Sequence, residues 1–255
     1  LEGLTFYMKV LIACEESQTV CKAFRELGHD AYSCDLQECS GGYPEWHFKQ
    51  DVFEVIDMGW DAMIAFPPCT YLTVTANGWL KDQPPLKSGA LVGAERRKAR
   101  EDAISFFLKL ANCDIPKIAI ENPVGCMSKE FRKPDQIIHP YFFGDEHRKT
   151  TCLWLKNLPK LFHAKQPDLF NDIVTHVSEG ESAEWIDSKT GKTKRQPKWY
   201  AMAKQGKELG DRSKERSKTF PGIANAMAIQ WAGEAEIYND QPGDDMQCGV
   251  GKNNI

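Results

Sequence analysis

Apolar residues in this chain fall into short runs between polar stretches, and their spacing switches repeatedly between two periods. Residues 9–14, 31–36, 61–66, 117–120 and 151–155 are short, largely apolar and bounded by breakers or charges. That is the pattern of strands buried on both faces. After the first run the period becomes helical. Val20, Ala23, Phe24 and Leu27 share one face, Ser17 or Thr19 can cap the start, and Gly28 ends the helix. A longer helix is predicted over 95–112, with Ala99, Ala103, Phe106, Phe107 and Leu110 near one stripe, and a last apolar helix over 223–231. This strand–helix alternation predicts an α/β fold built on a doubly wound, mostly parallel sheet.

The periodicity breaks down in two places. Residues 70–94 carry Gly78, Pro84, Pro85, Gly89 and Gly93 with no period, and a loop of that length is expected to serve a function. Residues 157–216 fall into short pieces with Trp185, Trp199 and Tyr200 among lysines. We therefore expect a main domain over 8–156 and 217–238, a small irregular recognition region over 157–216, and a disordered polar tail over 239–255.

Candidate chemistry collects at two predicted strand ends. The third strand runs into Phe66-Pro67-Pro68-Cys69-Thr70, and the fourth into Glu121-Asn122-Pro123. In an open α/β sheet the reacting groups gather just past the carboxyl ends of the strands. A thiol and a carboxyl brought to one crevice suit covalent attack on a heterocycle, with Cys69 as nucleophile and Glu121 as acid. A buried thiol and a helix-capping carboxylate are the plain structural alternatives. Asp35, at the end of the second strand, and Asp51, in Gln50-Asp51-Val52-Phe53, stand where nucleotide-binding folds place cofactor carboxylates, although either could equally be a turn residue.

With these residues in view, the chain resembles the DNA cytosine-C5 methyltransferases, whose nucleophile lies in a Pro-Cys motif and whose acid lies in a Glu-Asn-Val motif. The resemblance extends more weakly from about Lys9 to about Trp231. It implies a Rossmann-like methyltransferase sheet and S-adenosylmethionine as cofactor. The implied cofactor residues are Cys14, Glu15, Glu16, Ser17, Asp35, Leu36, Asp51, Val52, Pro67 and Asn225. It implies a catalytic role for Arg148, within Asp145-Glu146-His147-Arg148-Lys149, in holding the base. The implied partner is double-stranded DNA with the target base flipped out, and the 70–94 loop is the candidate mobile element. Two motifs depart from the family. The glycine-rich turn after the first strand is replaced by Cys14-Glu15-Glu16-Ser17-Gln18, and Ile223 follows Gly222 in the closing motif, with asparagine only at Asn225. These departures leave room for a modified sulfonium donor; a carboxylated one would need a cation such as Lys149 or Lys218. The other readings are an RNA cytosine methyltransferase, an amino-group methyltransferase, and an inactive nucleic-acid-binding homologue.

Charge bears on the partner. The net charge of −4 conceals a basic stretch from Lys189 to Lys218 and another from Lys81 to Arg100. Basic segments on an acidic body point to a polyanion. Thr70, Arg96, Arg97, Lys194, Arg195, Lys198, Trp199 and Lys204 are the expected nucleic-acid contacts; solvated loops are the plainer reading of both stretches. The nine cysteines show no metal-ligand spacing, so no metal is expected, and a reducing, cytoplasmic location is the simplest setting for them. No apolar run reaches the ~18 residues of a membrane span. We expect a monomer.

Overall fold

The structure is a computed structural model, and it describes residues 7–167, 174–188, 190–202 and 219–233. Lys204, Lys218 and the 239–255 tail lie outside the described residues.

The strands are β1 (Lys9–Ala13), β2 (Asp30–Asp35), β3 (His47–Lys49), β4 (Ala62–Ala65), β5 (Lys117–Asn122), β6 (Gln136–Ile138) and β7 (Thr151–Lys156), in the order β3-β2-β1-β4-β5-β7-β6. The first five in that order are parallel, while β7 runs antiparallel to both β5 and β6. The α/β, mostly parallel sheet expected from the sequence is thus present. The strand order reverses between β1 and β4, the switch point at which such sheets open a crevice.

Alternation along each strand feeds two cores. Val10, Ile12, Ala62, Ile64 and Ala119 face helices α1 (Thr19–Glu26) and the closing helix Pro221–Trp231. Leu11, Ala13, Met63, Ala65, Ile118 and Ile120 face the other layer, where α2 (Gly93–Ala111) contributes Phe107 and Leu110. Burial on both faces is why these strands read as continuous apolar runs. Helix α3 (Met127–Glu130) is a single turn after β5.

Two expectations need correction. Neither Ser17 nor Thr19 is the N-cap of α1: Gln18 holds that position at φ 57°, and the Glu15 carboxylate accepts from Val20 N (2.7 Å) and Cys21 N (3.2 Å) instead. The region after β7 is also less irregular than its sequence suggests. It contains an antiparallel hairpin, β8 (Ser182–Ile186) and β9 (Thr193–Pro197), followed by the short helix α4 (Lys198–Met202). The closing helix, α5 (Pro221–Trp231), follows.

Candidate active site

The ends of β1 to β4 open on a cavity of about 550 Å³. Its lining includes Cys14, Asp35, Leu36, Asp51 and Val52 from the first three strand ends, Pro68 and Thr70 after β4, and Asp102 and Phe106 of α2. Among the described residues, the lining holds three carboxylates and no lysine or arginine. Asp35 and Asp51 are each fixed by a local backbone N–H, from Gln37 (2.9 Å) and Phe53 (2.9 Å). The turn after β1 has no glycine, yet Cys14 (φ 60°) and Gln18 (φ 57°) both take left-handed backbone conformations. The bend is made here by residues with side chains, a strained solution.

Other expected cofactor residues lie elsewhere. Glu15 is buried at the start of α1, and burial pushes its carboxyl up to about 7 against the pull of the Val20 and Cys21 N–H groups. Neither Glu15, Glu16 nor Ser17 lines the cavity. Pro67 is buried behind it, its carbonyl accepting from Asn122 Nδ2 at 2.7 Å. Asn225 is exposed on α5 and is not among the lining residues. What fixes the closing motif is the helix start. Gly222 N donates to Asp145 Oδ2 (2.8 Å), and a Cβ at Gly222 would stand 2.0 Å from the Phe143 carbonyl oxygen.

Cys69 and Glu121 are brought together at adjacent strand ends. Strands β4 and β5 pair in register, Ala65 opposite Ile120, so the turns that follow start side by side. Three contacts lock those turns: the Asn122–Pro67 bond, Cys126 N to Leu72 O at 2.8 Å, and a bridge between Thr73 and Gly125. Burial raises the Cys69 thiol, the neighbouring Glu121 carboxylate raises it further, and Lys149 opposes both. Burial likewise raises Glu121, against Lys149 and the Thr151 hydroxyl. Lys149 and Glu121 share the lining of a small cavity with Phe66, Thr151 and Phe220.

Lys149, expected only as a cation for a carboxylated donor, stands beside Glu121 and acts on the Cys69–Glu121 pair. Arg148, the expected catalytic arginine, is exposed and pairs with Glu179 at 3.7 Å. Both lie in the segment before β7, outside any strand, where sequence spacing does not separate them.

The expected nucleic-acid contacts divide. Thr70 is exposed at the cavity mouth. Arg96, only 3% exposed, donates to Leu91 O and Thr70 O (both 3.3 Å) between the rings of Tyr71 and Trp79. Arg97 binds Leu80 O (2.7 Å) and Asp82 (3.0 Å), while Arg100 binds Tyr71 O (2.7 Å) and Thr73 O (3.2 Å). These arginines fasten the 70–82 segment to α2. In the hairpin region Lys194 pairs with Asp187, Lys198 with Glu181, and Arg195 with Glu184 at 3.7 Å. Trp199 packs against Phe220 and His147.

No protein-family profile and no curated protein sequence matches the chain. Among solved structures, one that superposes on it is described as a DNA modification methyltransferase encoded within a prophage (E. coli), with a TM-score of 0.40 and 14% identity. The match covers 67% of this chain and 53% of that one, so this chain spans about half the length of that protein. A likeness of that size bears on neither family nor activity, and both rest on the residues.

Proposed function

We propose that this protein transfers a methyl group from S-adenosylmethionine, or a close sulfonium derivative, to carbon 5 of cytosine in DNA. The observation that carries this reading is the pairing of Cys69 with Glu121 at adjacent strand ends, electrostatically coupled and directly beside the carboxylate-lined cavity. The residues present fit the donor. Asp35 and Asp51 would hold a nucleoside, and the three carboxylates of the wall, Asp35, Asp51 and Asp102, favour a cationic cofactor over a polyphosphate one. Bound there, the donor supplies an electrophilic methyl group.

The chain's own residues supply the rest. Carbon 5 of cytosine is a weak nucleophile until a thiolate adds at carbon 6, and Cys69 would make that addition. Glu121, whose carboxyl is raised by burial, would in its protonated form hydrogen-bond ring N3 and the exocyclic amine and stabilise the electron-rich ring. Duplex DNA must present the base flipped out. The exposed Thr70 and the hairpin are the candidate contacts with DNA.

The reading is tested by nucleoside mass spectrometry of duplex DNA and of RNA after incubation with S-adenosylmethionine. The expected product is 5-methylcytosine in DNA, with none from Cys69→Ala. Methylation of an exocyclic amine would overturn the mechanism, and product confined to RNA would overturn the substrate. Duplex DNA carrying 5-fluorocytosine should give a complex that survives denaturing electrophoresis, because fluorine cannot leave as a proton does. A covalent complex still formed by Cys69→Ala would remove that residue from its role.

A further inference from the structure

Cys69 and Glu121 pose an electrostatic difficulty. Two acidic groups in one desolvated place cannot both ionise cheaply, yet the proposed chemistry needs the sulfur anionic and the carboxyl protonated. One negative charge must therefore be kept between them and directed to the sulfur. Lys149 is placed to do this. It comes from the segment leading into β7, the strand that pairs antiparallel with β5 and sets Leu153 opposite Glu121. Its ammonium lies 6.0 Å from the centre of the Phe220 ring and shares a small cavity with Glu121, walled by Phe66 and Ile223. Its charge acts on both members of the pair. Apolar walls weaken screening, so this cation acts more strongly than a solvated one would.

We propose that Lys149 is the positioning residue for a single negative charge shared by Cys69 and Glu121. The pair holds one exchangeable proton. In one form the proton is on sulfur and the carboxylate is anionic. In the other the S–H bond is broken, the proton is on the carboxyl oxygen, and the electron pair remains on sulfur. Both forms carry one negative charge, and the lysine offsets it in either, so the exchange changes no net charge. The second form is the one equipped for addition to a base. This assignment rests on the reading of Cys69 as the nucleophile and would replace the expected role of Arg148.

The test uses neither DNA nor donor, so its result stands apart from that of the nucleoside assay. The full-length protein is alkylated with iodoacetamide over a range of pH, and the rate at Cys69 is followed by peptide mass spectrometry. Near-ultraviolet circular dichroism confirms the fold of each variant. Lys149→Met should move the midpoint of reactivity upward by roughly one to three pH units, and Lys149→Arg should restore it. Glu121→Gln should move it downward, because a repelling carboxylate is lost while the cation stays. A midpoint unmoved in folded Lys149→Met, or an upward shift in Glu121→Gln, would overturn the proposal. A general loss of structure would shift neither variant in opposite directions, so the paired signs separate electrostatics from damage.

Discussion

At the scale of single residues, the site depends on side chains and glycines that hold two turns at fixed separation. A Cβ at Gly125 would stand 2.2 Å from the Leu72 carbonyl oxygen, and backbone, not a flexible side chain, is what it meets. Gly125→Ala should therefore lower stability by about 2 kcal/mol or more and part the Cys69 and Glu121 turns. A thermal midpoint equal to that of the parent protein would refute the close packing. Glu15 makes a second prediction. Its folded-state carboxyl is raised to about 7, so the folded protein takes up a proton that the unfolded chain, titrating near 4.5, has lost. The associated stability is present in full below the unfolded value and is lost as pH rises through about 7. It amounts to roughly 3 kcal/mol at most, from the size of the shift. Against Glu15→Gln, the parent protein should lose thermal stability progressively between about pH 5 and 8. Parallel curves for the two proteins would show that the helix-capping carboxylate is not protonated on folding.

At the scale of elements, charge counted along the sequence overlooks the acids that folding brings to it. The basic stretch after Lys189 looks like a patch for phosphates, but β9 lies against β8, and β8 and its flanks bring Glu181, Glu184 and Asp187 to Lys198, Arg195 and Lys194. The acids sit outside the basic window and reach it only through antiparallel pairing. The same holds for α2, where Arg96 and Arg100 clasp the carbonyls of the 70–73 turn; Arg96 is buried and Arg100 half-buried. If the hairpin contacts DNA, the double change Glu181→Gln and Glu184→Gln should release Lys198 and Arg195 and steepen the salt dependence of binding by about two units of slope. An unaltered slope would place the hairpin away from the phosphates.

At the scale of the whole molecule, α5 closes the sheet by contacts with distant parts of the chain. Trp231, 6% exposed, donates to the Pro159 carbonyl at 3.0 Å, Gln230 exchanges hydrogen bonds with the backbone of Phe162, and His29 Nε2 lies 2.7 Å from Gly233 O. Removing the indole leaves a cavity between α1, α5 and the irregular segment that follows β7, so Trp231→Ala should cost about 3–5 kcal/mol. Loss of that size in a single cooperative thermal transition would show that α5 folds with the sheet; a separate early transition would show that it does not.

The run lengths of Val10 to Ala13, Ala62 to Ala65 and Ile118 to Ile120 were enough to locate the central strands, because a strand buried on both faces must be apolar throughout. The Pro-Pro-Cys turn was legible for the same reason, since breakers after such runs mark strand ends; β5, however, runs through Glu121 and Asn122, two residues past the expected end at Ile120, because both pair with β7. The short edge strands β3 and β6 left no such signature, since three residues carry too little periodicity. The antiparallel direction of β7 was equally hidden, because direction is set by how the chain returns and not by the strand's own residues. Only the tertiary structure could show that Lys149 lies beside Glu121 while Arg148 pairs with Glu179, that Glu15 caps a helix, and that Arg96 is buried. Each of these depends on which distant backbone or charge lies within a few ångströms, and sequence spacing does not encode that distance.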